Sequence, residues 1–130
     1  MTAAPYALRR VILHAARSKE YPAGSIRRGY DFIAPLTPEG RIDLDGWKTH
    51  RGECFAHRFW DHEPAQRGLL VHRAGGRGGS TWGFELGAGA RLDEEDMGFR
   101  FGDHVFRPGE YVSVWEPEGE LVTFKVVSVG

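Results

Sequence analysis

The sequence contains a single cysteine, Cys54, so no disulfide can form within the chain. This fits a reducing compartment, and we expect a cytoplasmic protein. The sequence also lacks any apolar run near the roughly 18 residues that a membrane-spanning helix needs. Arginines interrupt the N-terminal segment MTAAPYALRRVILHAARS before the apolar centre of a signal peptide can form. We therefore predict no membrane partner.

Lysine is scarce, and arginine supplies most of the 17 basic residues. The net charge is −1, but residues 1–80 carry 13 Lys or Arg and 8 Asp or Glu, whereas residues 81–130 carry 4 and 10. Guanidinium groups match the geometry of phosphate and carboxylate, so this composition is compatible with an anionic ligand. A GC-rich genome would produce the same arginine excess, and the two halves of a compact domain intermix. Charge alone therefore does not locate a site.

Helical periodicity is almost absent, while glycine, with 18 residues, is about twice as frequent as usual. Tyr30, Phe32 and Ala34 alternate with Asp31 and Ile33, which is typical of a half-buried strand. Similar patterns predict strands at 6–16, 27–36, 54–60, 68–74, 80–87, Tyr111–Trp115 and Leu121–Val129. The segment DHEPAQR is predicted to be a polar turn between the third and fourth of these strands, and EPEGE a hairpin loop between the last two.

Short helical turns interrupt this pattern at most twice. Asp43 is placed to cap a helix around Leu44–His50, and Gly52 to end it in the left-handed conformation. The acidic run at 91–98 is either one turn of helix or an exposed loop, because it lacks the alternating oxygen ligands and central glycine of a calcium loop. The chain length of 130 residues fits one domain. We therefore predict a single all-β domain over 1–130, a small barrel or sandwich of about seven antiparallel strands.

The run HRAGGRGGSTWGF at 72–84 is the most conspicuous candidate for a site. It lacks the lysine and the following helix of a phosphate-binding P-loop, and the spacing of a dinucleotide fingerprint. One copy does not make an arginine-glycine nucleic-acid box. A turn between two strands is the simplest interpretation, although its backbone N–H groups, with Arg77 above them, could form an anion-binding nest.

Six histidines suggest a metal site, with the closest spacing at His50, Cys54, His57 and His62. If 54–60 is a strand, Cys54 and His57 point to opposite faces and cannot share a metal. His57 and His72 could instead be neighbours across two paired strands. We predict no bound metal and no cofactor, and no serine, cysteine or carboxylate pair has the setting of a catalytic group.

The segment GDHVFRPGEY at 102–111 resembles the glycine-aspartate and proline-glycine pattern of the second cupin motif. The His-x-His and glutamate of the first cupin motif are missing from the sequence, and the histidine of the second is missing too. The resemblance implies, as one alternative, a metal-dependent enzyme with His57, His72 and His104 inside a barrel.

Four segments, GYDFIAPL, GGSTWGFEL, FRFGDHVFRPGEYVSV and TFKVVSV, are similar to those of a family of small uncharacterised bacterial proteins. The similarity runs from about residue 8 to residue 129. It implies no activity, substrate or catalytic residue.

Four tryptophans, Trp47, Trp60, Trp82 and Trp115, serve either core packing or the stacking of a flat ligand. We predict a binding module for an anionic small molecule, a nucleotide or single-stranded nucleic acid. The alternatives are the histidine enzyme and an adaptor or homodimer subunit that uses the edge of the C-terminal hairpin for strand addition. The predicted ligand site lies around the loop 74–80 and comprises His57, Arg58, Trp60, His72, Arg73, Arg77 and Trp82.

Overall fold

The computed structural model describes residues 5–19, 21–73, 81–87, 99–116 and 120–130. The described residues contain eight strands: β1 (Ala7–Ala15), β2 (Ser25–Leu36), β3 (Phe55–Trp60), β4 (Glu63–His72), β5 (Trp82–Leu86), β6 (Arg100–Phe101), β7 (Tyr111–Trp115) and β8 (Leu121–Val129). One α-helix, α1 (Leu44–His50), precedes a 3₁₀ turn at Arg51–Glu53. No helix among these residues has the length and apolar character that crossing a membrane requires.

The eight strands form a closed antiparallel barrel in which each strand pairs with the next, and β8 returns to pair with β1. Leu13 of β1, for example, lies opposite both Tyr30 of β2 and Val126 of β8. The predicted all-β class is confirmed, and of the two predicted architectures the chain adopts the barrel. The strand beyond the predicted seven is β6, which has two residues and is too short to show a sequence period.

The barrel interior is filled by the inward-facing residues of all eight strands, which alternate with outward-facing ones along the strands. Tyr30, Phe32 and Ala34 of β2 are buried, as their period of two predicts, and Phe124 and Val126 of β8 face them across the core. Phe84 contacts the rings of both Tyr30 and Phe32, at centroid distances of 4.8 and 5.1 Å. An eight-stranded barrel is just wide enough for side chains to fill, and aromatic rings fill the centre of this one.

The predicted polar turn DHEPAQR is wrong in extent, because β4 already begins at Glu63 and only Asp61 and His62 form the turn. Arg58 pairs with Gln66 and Trp60 with Glu63, so the hairpin continues through the polar residues. Four of the first five residues of β4 are exposed. A strand segment that leaves the core needs no apolar alternation, which is why polarity suggested a turn here.

The helix α1 begins as predicted, with Asp43 as its N-cap: the Gly46 amide donates to Asp43 Oδ2 at 2.7 Å. Gly52 does not end the helix in the left-handed conformation, since the chain continues into the 3₁₀ turn. Trp47 is buried, and its indole Nε1 donates to the carbonyl of Leu70 at 2.9 Å. The helix is thereby fixed to β4.

The antiparallel order places the connections alternately at two ends of the barrel. We call the closed end the one that carries α1 and the connections β2–β3, β4–β5 and β6–β7; there Phe106 packs against Phe32 and Phe101. We call the open end the one that carries the connections β1–β2, β3–β4, β5–β6 and β7–β8. The glycine run 74–80 and the acidic run 91–98 lie outside the described residues.

Within the C-terminal hairpin, β8 does not provide a free edge for strand addition. β8 pairs with β7 on one side and with β1 on the other. The backbone groups of β8 are therefore already engaged, whereas among the described residues β7 pairs with β6 only through Trp115 and Arg100. The adaptor hypothesis stays a prediction.

Candidate functional site at the open end

Three polar side chains meet inside the barrel near its open end. Tyr30 faces inward from β2, Arg58 from β3, and Glu116 follows directly after β7; all three are buried. Arg58 donates from Nη2 and Nε to Glu116 Oε1 at 2.7 and 3.1 Å. The hydroxyl of Tyr30 donates to the other carboxylate oxygen, Oε2. Both oxygens of Glu116 are thus hydrogen-bonded, as a buried carboxylate requires.

The electrostatics of this network fix its protonation state. Burial and the neighbouring charge of Glu116 raise the pKa of Tyr30 well above its ordinary value, so its hydroxyl stays protonated and donates. Burial alone lowers the pKa of Arg58, but the charge and hydrogen bonds of Glu116 outweigh that effect and the pKa is raised. At neutral pH the network therefore contains one compensated ion pair and one neutral phenol.

Trp60, at the end of β3, lies beside this network with two arginines close to its ring. The guanidinium carbon of Arg58 is 4.1 Å from the ring centroid of Trp60, and that of Arg28 is 5.8 Å away. Arg28 also lies 4.3 Å from the ring centroid of Tyr21. These cation–π contacts hold Trp60 and Tyr21 at the rim of the barrel.

Two cavities open at this end and share Trp60 and Glu120 as a common wall. The first, of about 390 Å³, is lined by the chain segment Ala15–Lys19, by Tyr21 and Trp60, and by the segment Glu120–Thr123. The second, of about 270 Å³, lies over the buried network and is lined by Arg58, Trp60, Glu63, Gln66, Phe99, Glu116 and Glu120. We call the two together the mouth site. The volume of the first cavity by itself lies within the usual range of small-molecule sites, roughly 300–1,000 Å³.

The residues predicted to form one ligand site are distributed over both ends and both faces of the barrel wall. Arg58 and Trp60 belong to the mouth site. His72 and Trp82 are cross-strand partners at the closed end, with ring centroids 4.8 Å apart, and both contact Trp47. The loop residue Arg77 lies outside the described residues.

Of the remaining two predicted site residues, His57 is on neither of these surfaces. Arg73 follows His72 at the closed end, and the two line a cavity of about 320 Å³ together with Trp47. His57 alternates with the buried Ala56 and Arg58 and so lies on the outer face of β3, opposite Arg67 rather than near His72. Arg73 makes an ion pair with Glu85 at 3.3 Å. The single surface expected from these seven residues is therefore not what the register of β3 and β4 produces.

The histidines of the enzyme hypothesis are also dispersed. His57 lies on the outer face, whereas His72 and His104 lie at the closed end, where the ring of His104 is 6.4 Å from that of Phe106. Burial lowers the pKa of His104 below its ordinary value. Within the described ranges, no three His, Cys, Asp or Glu side chains converge as a metal site would require. The barrel also pairs consecutive strands, unlike the jelly roll of the cupins, so the resemblance at 102–111 is confined to a connecting segment.

Cys54 is buried at the closed end, where its thiol donates to the carbonyl of His50 at 3.3 Å. Burial, and to a lesser degree the charge of Glu53, raises the pKa of this thiol to about 11. Its thiolate form is therefore rare at neutral pH, which disfavours a nucleophilic role.

The sequence predictions missed Tyr30, Glu116 and Arg28 as members of the site. One signal could have found the first two: Arg58 has the same strand parity as the buried Ala56, and a buried arginine requires a carboxylate partner. Glu116 lies in the segment EPEGE, which reads as an ordinary hairpin loop. Its partner is 58 residues away, beyond the reach of local patterns.

Comparisons of the chain with protein-family models, with curated proteins and with solved structures found no match. The similarity to small bacterial proteins over residues 8–129 stays a prediction. The function is therefore argued from the mouth site itself.

Proposed function

We propose that this protein is a binding module that takes a small anionic ligand with a flat ring, such as a nucleotide, in the mouth site. The proposal depends mainly on one observation: the larger cavity places the cationic Arg17 and Lys19 and the aromatic Tyr21 and Trp60 around the same space. Cations can hold a phosphate or carboxylate while an aromatic ring stacks on a base.

The basic residues of the mouth site fall into two groups: Arg58, which forms the buried ion pair with Glu116, and the exposed Arg17 and Lys19, which make no ion pair with another described residue. Arg58 is neutralised by Glu116 and hydrogen-bonded to it, so it contributes more to holding Trp60 than to binding an anion. Arg17 and Lys19 are exposed residues of the β1–β2 connection and approach the cavity from solvent. We assign the anion to these two side chains, with Glu120 on the opposite wall disfavouring ligands of high negative charge density.

The described residues of the mouth favour binding over catalysis. The carboxylate of Glu116 is held at both oxygens, and the phenol of Tyr30 is kept protonated by its surroundings. The Tyr30 hydroxyl is therefore not poised to release a proton near neutral pH. We also propose a cytoplasmic location, which is supported by the single buried cysteine.

Isothermal titration with AMP, adenosine and inorganic phosphate tests this function. AMP should bind more tightly than either fragment, because only AMP engages the rings and the cations together. The double variant Arg17→Ala/Lys19→Ala should weaken AMP by at least roughly ten-fold, as expected for two lost charged contacts. Lys48→Ala, which removes an exposed lysine from α1 at the closed end, is the matched control and should leave the affinity unchanged.

The same titrations can reject the proposal. If all three compounds bind equally weakly, or if Lys48→Ala weakens AMP as much as the double variant does, the mouth site is not the anion site. The ring contribution is checked with Trp60→Leu, which should reduce the affinity for AMP while leaving the weak binding of phosphate unaltered.

A further inference from the structure

Apart from the two cavities of the mouth site, a depression of about 580 Å³ lies on the outer face of the barrel, beside the β1–β2 connection. It extends over the outer face of β8 and is lined by His14, Arg17, Ile26, Tyr111, Lys125 and Val127, together with small residues. We call it the outer groove. It touches the mouth site only at Ala15–Arg17 and Thr123, so most of its surface is separate from that site.

The register of three strands aligns the key side chains of the outer groove in one row. Lys125 of β8 is the direct cross-strand partner of Tyr111 on β7 and of His14 on β1. Neighbouring strands are about 4.8 Å apart, so an aromatic ring, an ammonium group and an imidazole follow one another across the sheet surface. The phenol of Tyr111 is on the outside of the barrel, since its strand neighbour Val112 is buried.

Apolar surface in the outer groove is unusually accessible. Ile26 is 76% exposed and Tyr111 is 59% exposed, although both are large hydrophobic residues. Single exposed apolar residues are ordinary, but here they share one concave surface with Val127, which is also exposed. Such a patch indicates a binding surface.

The charge of the outer groove is of one sign. Arg17 and Lys125 are its charged residues, and among the residues that the structure describes no carboxylate lines it. A second copy of the same chain would bring like charges together at a two-fold interface, which disfavours self-association through this face. An extended polyanion with exposed apolar groups matches it better.

We infer that the outer groove binds single-stranded nucleic acid, with an unpaired base stacked on Tyr111 and backbone phosphates at Lys125 and Arg17. Sequence-tolerant binding of single strands combines a basic groove with aromatic side chains on which bases stack, and the row across β7, β8 and β1 supplies both. A duplex keeps its bases stacked internally and offers none to Tyr111. The inference does not depend on a ligand in the mouth site, because Tyr111 and Lys125 do not line that site.

Fluorescence anisotropy with labelled oligo(dT) and oligo(U) of about 12 nucleotides tests the inference, with a duplex of the same length as a third arm. Both single strands should bind, and the duplex should bind more weakly at the same salt concentration. Tyr111→Ala should weaken the single strands by roughly five-fold or more, the effect of losing one stacked base. Phe55→Ala is the matched control, because Phe55 is an aromatic residue 54% exposed on β3, outside the groove.

Salt dependence separates the contribution of the phosphates from that of the bases. Lys125→Ala should reduce the slope of log K against log salt by about 0.7, the value for one phosphate contact on a single strand. Lys48→Ala on α1 should leave the slope unchanged. Tyr111→Ala should lower the affinity without altering the slope.

Three results would overturn the inference. The first is equal affinity for single strand and duplex, which would indicate a general polyanion surface. The second is competition by polyglutamate as effective as by unlabelled oligo(dT), which would indicate an acidic peptide as the partner. The third is an equal loss of binding in the Tyr111→Ala and Phe55→Ala variants. Loss of AMP binding in the Trp60→Leu variant with oligonucleotide binding retained would show that the mouth site and the outer groove act separately.

Discussion

At the closed end of the barrel the buried residues Phe106 and Trp47 contact other aromatic rings, whereas at the open end the buried residues Arg58 and Glu116 are charged. Apolar packing needs only shape and volume to be stable. A buried ion pair needs every hydrogen bond in place, and replacing such a pair with apolar residues often leaves stability unchanged or higher. The third buried charged residue, Arg100, donates to the carbonyl of Arg73 at the closed end. The difference is therefore that the open end retains a buried ion pair that folding alone does not require, which points to a function there.

The largest expected effect at the open end comes from removing one partner of the ion pair. Glu116→Ala should lower the free energy of unfolding by about 3–5 kcal/mol, because it leaves the buried guanidinium of Arg58 without a countercharge. Urea unfolding measures the loss. The double variant Arg58→Met/Glu116→Leu is the comparison and should lose much less, since neither charge remains. If the double variant lost as much stability as Glu116→Ala alone, the intact ion pair would be stabilising relative to apolar residues, and this prediction would be wrong.

At the closed end, Phe106→Ala should cost about 3–5 kcal/mol by leaving a cavity among Phe32, Phe101 and its other neighbours. Trp60→Ala at the open end should cost less, because Trp60 is only partly buried. Both are measured by urea unfolding. An equal loss of unfolding free energy in the two variants would contradict the proposed difference in packing between the two ends.

A smaller effect is expected at the third member of the buried network. Tyr30→Phe should cost about 1 kcal/mol, the net value of one hydrogen bond, because Glu116 keeps its contacts with Arg58. The variant should also change how the free energy of unfolding depends on pH in the alkaline range. Since the folded pKa of Tyr30 is raised, its contribution is fully present below the unfolded value near 10 and is lost as the pH rises above it. The stability difference between wild type and Tyr30→Phe should therefore shrink above about pH 10.

The smallest expected effect concerns His104 at the closed end. Its folded pKa is lowered from 6.5, mainly by burial, so the unfolded chain binds a proton more readily than the folded protein does. Its contribution is present above pH 6.5 and is lost as the pH falls through the folded pKa. His104→Gln should flatten the decline in melting temperature below that pH. A decline as steep as that of the wild type would assign the acid sensitivity to other groups.

The barrel could be predicted from the sequence because the residue patterns that indicate its strands are local. Alternation in the segments around Tyr30 and Phe124 marks inward and outward faces, and Asp43 marks the start of α1. The mouth site could not be predicted in the same way. Arg28 and Arg58 come from the paired strands β2 and β3, but Glu116 follows β7, and only barrel closure brings it to them. The glycine run, the most conspicuous motif, lies outside the described residues, and the site predicted around it grouped Arg58 and Trp60 with residues of the closed end.

The most direct test of the mouth site is a two-dimensional ¹H–¹⁵N NMR titration of the labelled protein with AMP. We expect the amide shifts of Arg17, Tyr21, Trp60 and Thr123 to move with a common binding curve, while those of Trp47 and His72 at the closed end stay fixed. Shifts confined to the closed end, or no saturable shift at the open end, would contradict the assignment of the mouth as the ligand site.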